Sequence, residues 1–408
     1  MKTSQTPTAL PPWPIFEADE IAAVDAVLRS GRVNYWTGDQ CKLFERAWSD
    51  YHGGMHSLAM ANGSLTLDTA LRVLNIGAGD EVIVSPRSYV ASAMCAVLAG
   101  AKPVFADVDA NSGNMTVASM EAVRTSRTKA CIPVHIAGWP CDMPAISAWA
   151  AQHGIHVIED CAQAHGAHID GRFVGTWGVF SSWSFCQDKI MTTGGEGGML
   201  CTPDLRLWKK AWQFAQHGKD YDLSHAQSSE PGFRWLVKHE GTNIRMTEMQ
   251  AAIGLCQLRK LDDWVARRAR NSKIMQDALR GVRGLRVPAT PEGHAHYRCM
   301  AYVGIFGSDA LPGDGLAQRR DQMLAALAQA GLPANIGSCS EIYREPIFAE
   351  RGLAPASALP VAHALGNTSL AFMVHHTIDE MSMHRHAAEV RDALQSIDAV
   401  QTGSLRRV

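Results

Sequence analysis

No stretch of this 408-residue chain stays apolar for the ~20 residues that a membrane-crossing helix requires, which argues against a membrane-embedded protein. Charge of one sign is missing too. Lys and Arg number 38 against 40 Asp and Glu, leaving a formal net charge of −2 with no block of like charge. The electrostatic footprint of a nucleic-acid binder, or of a protein held on an acidic membrane, is therefore absent. The ten cysteines include no C-x-x-C pair, and their scatter fits neither a zinc site nor the disulfide framework of a small secreted domain. Reduced thiols in a cytoplasmic protein are expected, with no metal site. The opening MKTSQTPTALPPWP has no apolar signal core and reads as a disordered lead-in over residues 1–13. Internal repeats and low-complexity segments are lacking. So are the Walker and Rossmann glycine patterns, which sets aside a nucleotide-binding protein of another kind using Asn62-Gly63-Ser64 as its anion site.

What is present is an ordinary globular composition, 46% hydrophobic, and a long alternation of two periods. Helical spacing runs over residues 19–28, around Phe44-Glu45, over 65–74 behind a cap at Asn62-Gly63-Ser64, and over 205–218. Between these lie strand-like runs at 81–86, 103–106, 130–135, 156–158 and 179–185. Strands alternating with helices imply crossover units and a mostly parallel sheet, hence an α/β fold. A polar stretch, 219–239, interrupts all periodicity before the capping box Thr247-x-x-Gln250 opens one long helix to about residue 280. The domain change is placed along that helix. A large domain over 14–260 is expected, followed by a smaller C-terminal α/β domain over 261–408. The latter should contain strands at 302–306 and 334–336, a helix at 321–330, and a last helix from 379 to 397 behind a second capping box, Thr377-x-x-Glu380.

The chain is organised around residues 154–202. There a short apolar run, His156-Val157-Ile158, ends in Glu159-Asp160, and a second β-rich run is followed four residues later by Lys189. The loop Thr192-Thr193-Gly194-Gly195-Glu196-Gly197-Gly198 comes next, with so little side-chain bulk that a ligand or another backbone can approach closely. Alone, each piece has a plain reading: a strand-end acid making an Asx turn, a surface lysine, a tight turn between strands. Together they have a specific chemical use. A lysine amine can form an imine with pyridoxal phosphate, and a carboxylate facing the pyridine nitrogen lets the ring accept electrons. Lys189 and Asp160 are read in these two roles. Strand alternation sends Glu159 and Asp160 to opposite sides, so one of them faces the cofactor. The free N–H groups at the start of the 65–74 helix suit a phosphate. His135 is read as a buried, hydrogen-bonded histidine.

The motifs Glu159-Asp160-Cys161-Ala162-Gln163-Ala164-His165-Gly166-Ala167 and Ser184-Phe185-Cys186-Gln187-Asp188-Lys189, with the glycine loop after them, resemble the DegT/DnrJ/EryC1/StrS sugar aminotransferase family. Asn62-Gly63-Ser64 and Arg87-Ser88-Tyr89 extend the resemblance, which spans nearly the whole chain. It implies a fold type I pyridoxal-phosphate enzyme, with pyridoxamine phosphate as the alternate form of the cofactor. It further implies cofactor contacts from Gly63, Ser64, Tyr89 (stacked on the ring), Gln163 (at the 3-hydroxyl) and Ser184. Asn243, in the G-x-N-x-R motif, would come from the neighbouring subunit of a homodimer with shared active sites. Tyr35, Thr37, Glu341 and Tyr343 would border the substrate. The implied reaction moves an amino group from a donor, glutamate by family precedent, to a keto-sugar. The expected acceptor is a nucleotide-linked keto-deoxysugar bound for a surface polysaccharide such as O-antigen, or for a glycosylated metabolite. A non-nucleotide ring of cyclitol or aminobenzoate type is the alternative substrate. A sugar dehydratase of the same fold would carry histidine in place of Lys189. A silent regulator would not need the full set of Asp160, Gln163, Ser184 and Lys189.

Overall fold

The structure, a computed structural model, describes residues 9–227, 232–304 and 315–404, the last seven of these by backbone only. In chain order its first nine strands are β1 (His56–Met60), β2 (Glu81–Val84), β3 (Lys102–Phe105), β4 (Thr128–Ile132), β5 (His156–Asp160), β6 (His168–Ile169), β7 (Arg172–Phe173), β8 (Phe180–Ser184) and β9 (Gly198–Thr202). Seven of them build one sheet in the order β1-β9-β8-β5-β4-β2-β3, and β6 pairs with β7 as a separate ribbon. Every pairing from β3 across to β8 is parallel, while β9 runs antiparallel to both β8 and β1. Two reversals restore direction, so β1 points the same way as β8 and β5. The carboxyl ends of β1, β8, β5, β4 and β2 thus share one edge, where open α/β sheets bind their ligands.

Helices cover both faces of the sheet. Along β2, Val82 and Val84 enter one core layer and Ile83 the other, as the two-residue period of a strand requires. The helix Gly63–Val73 starts where Asn62 accepts a hydrogen bond from the Leu65 N–H, and it buries Leu67, Ala70, Leu71 and Val73 on the first of those layers.

The C-terminal part has its own antiparallel sheet, made of β10 (Leu285–Arg286), β11 (Cys299–Val303), β12 (Ala334–Asn335) and β13 (Ser369–Phe372) in the order β10-β11-β13-β12. Helices Leu261–Arg280, Gly315–Gln329 and Glu380–Ser404 pack into the same core through Leu279, Leu327 and Leu394. Phe306, the end of one expected strand, lies outside the described residues. Among the described residues no helix is long and apolar enough to cross a membrane. All ten cysteines are free thiols, eight of them buried.

Three expectations are corrected. The single helix through residue 280 is two helices, Glu248–Leu258 and Leu261–Arg280. The break at Arg259-Lys260 lets Leu258 and Leu261 enter the same core, and Lys260 Nζ reaches Glu17 and Asp19, each at 2.8 Å. The last helix is capped by Asp379, whose Oδ1 accepts the Ser382 N–H at 2.9 Å, because the Thr377 hydroxyl is engaged with His375 Nδ1 at 2.6 Å. Within the lead-in expected to be disordered, residues 1–8 lie outside the described part, whereas Trp13 is anchored. Its ring meets Trp264 and His376 edge-on, and its Nε1 donates to the Lys189 carbonyl at 2.9 Å.

Packing also fixes an acid limit on stability. His52 and His165 are wholly buried beside Trp48 and Trp183, and burial pushes both imidazoles down to about 3. The folded protein keeps them neutral, while the unfolded chain takes up protons below its ordinary value of 6.5. The stability they contribute is therefore whole above pH 6.5 and is lost as the pH falls toward 3. The slope is ~1.4 kcal/mol per pH unit for each histidine. Thermal unfolding between pH 8 and pH 5 should show the midpoint dropping from about pH 6.5 downward. A midpoint unchanged from pH 7 to pH 5 would contradict this.

Candidate active site

Strand β5 delivers Glu159 and Asp160 to the ligand edge on opposite faces. The Asp160 carboxylate, only 5% exposed, accepts from Ser92 Oγ at 2.8 Å and from the Ala162 N–H at 3.1 Å. Glu159 turns away and is fully buried, accepting from the backbone N–H groups of Gly175, Trp177 and Gly178, each at 2.7 Å. It also meets His135 Nε2 at 3.3 Å. Because His135 Nδ1 accepts the Cys141 N–H at 2.9 Å, its proton sits on Nε2 and is donated to Glu159. Of the acidic pair, Asp160 alone is left for a ligand.

Strand β8 ends at Ser184, and the chain then folds back on the glycine loop: the Lys189 N–H donates to Cys186 O and the Gln187 N–H to Gly195 O, both at 3.0 Å. Gly195 has φ +116°, a conformation closed to residues with a Cβ. The Lys189 side chain is directed inward, with Nζ 3.5 Å from Asp188 Oδ2. The same Asp188 oxygen accepts the Tyr297 hydroxyl. Burial works against a charged amine here, but Tyr297 and Asp188 outweigh it and hold the Lys189 pKa above its ordinary value. Asp160 is close enough to act on that charge as well. Lys189 opens into a cavity of about 630 Å³ shared with Gln163, Tyr89, Tyr297, Arg87 and Ser338. Gln163 is held at both ends of its amide, with Oε1 accepting the Ala137 N–H at 2.7 Å and Nε2 donating to Ser338 Oγ at 3.0 Å.

A narrow cradle closes the other side. A Cβ added at Gly63 would stand 2.7 Å from the Ser184 Cβ, and one added at Gly198 would stand 2.5 Å from the Asn62 carbonyl. Thr66 Oγ1 and Ser182 Oγ lie 2.5 Å apart beneath it. The start of the Gly63–Val73 helix is thereby pressed against the end of β8. Its first N–H groups have no partner within the helix, which is the arrangement that receives a phosphate. An amine-bearing pocket, a carboxylate behind it and a glycine-lined helix start beside it fit pyridoxal phosphate.

The other residues expected at the site divide. Tyr89 stands on the cavity rim, 71% exposed. Ser64 lies exposed on the first turn of its helix. Asn243 is exposed on a loop bridged to Gln216 and is not among the cavity-lining residues of its own chain. Tyr35 is buried with its hydroxyl toward Glu45, and exposed Thr37 caps its own turn through Asn34 O. Neither enters this cavity. Glu341 and Tyr343 bond to each other at 2.6 Å and face the fold, leaving their neighbours Cys339 and Ile342 to line the cavity. Sequence reading missed Ser92, Asp188, Tyr297 and Ser338. Asp188 alone had a local signal, its place beside the lysine.

A mostly parallel sheet with an inward lysine and a buried aspartate at its carboxyl edge defines a fold type I pyridoxal-phosphate enzyme. The chain belongs to the DegT/DnrJ/EryC1/StrS aminotransferase family, whose sequence profile matches residues 14–391, and its cofactor is pyridoxal 5′-phosphate. It is similar to a crystal structure described as the aminotransferase from Psychrobacter cryohalolentis, with 46% identity, a TM-score of 0.88, and coverage of 96% of this chain and 99% of that one. It is 32% identical to a 3-amino-5-hydroxybenzoate synthase of Amycolatopsis mediterranei over 94% of this chain and 97% of the relative. It is 35% identical to a GDP-perosamine synthase of Caulobacter vibrioides over 86% and 89% of the two chains.

Proposed function

We propose that this protein transfers an amino group from an amino-acid donor, glutamate, to a keto-sugar in amino-sugar biosynthesis, with a nucleotide-linked keto-deoxysugar as acceptor. The product would feed a surface polysaccharide or a glycosylated metabolite. The observation that carries the reading is the buried Lys189 amine opening into a cavity with Asp160 near enough to act on its charge. Similarity to a GDP-perosamine synthase supports the nucleotide-sugar acceptor. Similarity to a 3-amino-5-hydroxybenzoate synthase supports a second reading, in which the acceptor is a ring compound without a nucleotide.

Lys189 would hold the cofactor covalently, Asp160 would face its ring nitrogen, Gln163 its 3-hydroxyl and Tyr89 its ring face. Gly63, Ser64 and Ser184 would hold the phosphate, together with Asn243 of a second copy in a homodimer. When bound, the cofactor supplies an electron sink for charge that develops at the donor α-carbon. Lys189 Nζ, once it is the uncharged amine, would take the proton from that carbon. Asp160, fixed by Ser92 and the Ala162 N–H, holds negative charge where it balances a protonated ring nitrogen and needs no reorganisation. Tyr35, Thr37, Glu341 and Tyr343 are assigned to the substrate border by resemblance, and Tyr35 and Thr37 would serve it only across a subunit boundary. The domain division at 260/261 and a cytoplasmic location complete the proposal.

The test separates the two halves of the reaction. Cofactor-loaded protein mixed with glutamate should release 2-oxoglutarate, and keto-sugars offered afterwards should be aminated. Asp160→Asn should slow the glutamate half by about 10²–10³-fold. An Asp160→Asn protein reacting at the wild-type rate would remove Asp160 from its assigned role.

A further inference from the structure

Lys189 has a carboxylate neighbour besides Asp160. In a strand, consecutive side chains point to opposite faces. After β8 the chain instead turns, with the Lys189 N–H on Cys186 O at 3.0 Å, and Asp188 and Lys189 come together. Nζ stands 3.5 Å from Asp188 Oδ2, the one ion pair that Lys189 makes among the described residues. That same oxygen accepts the hydroxyl of Tyr297, from the segment before β11, which fixes the carboxylate in place. Lys189 Nζ lies 5.6 Å from the Tyr297 ring centroid, and the Arg298 guanidinium lies over the same ring at 4.3 Å. Asp188, Lys189, Tyr297 and Arg298 all line the cavity of about 630 Å³.

The groups that act on the amine are Tyr297, Asp188, Cys186, Asp160 and His165. Burial pushes the Tyr297 hydroxyl above its ordinary 10.0 and the Cys186 thiol above 9.0, and it pushes the His165 imidazole down to about 3. These three are therefore uncharged near neutrality, and the standing negative charge belongs to the two carboxylates. Asp160 is tied to Ser92 and the Ala162 N–H, and in the proposed reaction it balances the cofactor ring. Asp188 is left for the lysine. Burial would raise its carboxyl, but Lys189, the Tyr297 hydroxyl and Arg298 outweigh that and hold it below its ordinary value. We propose that Asp188, oriented by Tyr297, is a positioning residue for the reaction: the counter-ion that holds the Lys189 nitrogen in its protonated state. This rests on the aminotransferase reading and adds the control of its lysine. A cation enclosed in a cavity is costly without a partner charge, and Asp188 supplies one. The same attraction must be overcome before the amine can act as a base. The Asp188 side chain is 45% exposed, so water screens part of the attraction. The effect then falls at the lower end of the ~1–3 pH units typical of a neighbouring opposite charge, about one unit, or tenfold in proton affinity.

The experiment is a pH titration of the cofactor-loaded protein, followed through the visible absorption band of the cofactor joined to Lys189, which changes when the linked nitrogen loses its proton. Asp188→Asn keeps the shape and removes the charge, and it should move the midpoint down by about one pH unit, a tenfold loss of proton affinity. Asp188→Glu keeps the charge and should stay closer to wild type than Asp188→Asn does. Arg298→Gln removes the cation that offsets Asp188 and should move the midpoint up. A repacked site without a counter-ion would not give shifts of opposite sign. An Asp188→Asn midpoint that is unchanged or raised would overturn the proposal. Should that variant fail to fold, an Arg298→Gln midpoint that stays in place or falls would overturn it instead. A wild-type protein with no visible band would sink the aminotransferase reading, and that result is seen before any titration begins.

Discussion

Lys189→Ala should abolish turnover while leaving the fold intact. Positioned proton transfer contributes on the order of 10²–10⁴-fold by itself, and the covalent hold on the cofactor disappears with the same amine. The side chain opens into an existing cavity of about 630 Å³, so its removal enlarges a space that solvent already reaches and leaves no closed void. The measurements are a single-turnover reaction with glutamate, the yellow absorbance that survives gel filtration, and a melting curve. Expected are no detectable amino transfer, loss of colour from the washed protein, and a midpoint near the wild-type value. Residual transfer within tenfold of wild type would remove Lys189 from the centre of the reaction.

The largest loss of stability should come from the neighbour of Asp160. Glu159, itself fully buried, satisfies the N–H groups of Gly175, Trp177 and Gly178 and accepts a hydrogen bond from His135 Nε2. Glu159→Ala strands each of these donors at ~1–3 kcal/mol apiece. Even partial rearrangement of the loop leaves a deficit of ~4 kcal/mol, a large share of the ~5–15 kcal/mol by which a protein is stable. Glu159→Gln keeps one acceptor oxygen and should lose about half as much. Urea unfolding of the two variants should order them in this way. An Ala variant within about 1 kcal/mol of wild type would mean that the 175–178 turn is held by something other than this carboxylate.

The sequence made the sheet strands with β-branched or alternating residues legible, and the ends of those strands located Asp160 and Lys189. It was silent where pairing partners impose the structure. His56-Ser-Leu-Ala-Met60 has no β-branched residue, yet β1 forms because β9 offers a register from His56 against Thr202 to Met60 against Gly198. β13 and the helix Pro360–Thr368 were unforeseen for a similar reason, since Leu370 and Phe372 reveal their role only once the C-terminal core closes over them. Tyr297 lies 109 residues beyond Asp188 in the chain. No local pattern announces that contact, because it is created only when the segment before β11 folds back onto the loop after β8. Tyr35, which the resemblance assigned to the substrate border and composition alone left as part of an aromatic loop, is packed within its own chain in the core with Phe44 and Trp48.

Trp13 ties these regions together in a way that bears on handling the protein. One indole touches Trp264 on the helix Leu261–Arg280, lies against His376 from the C-terminal portion, and donates to the Lys189 carbonyl. The amino-terminal strap therefore works as a latch on the lysine loop. Shortening the chain past this indole would free that loop from the smaller sheet's side of the molecule, so truncated versions should be compared with the full chain before any rate is attributed to them.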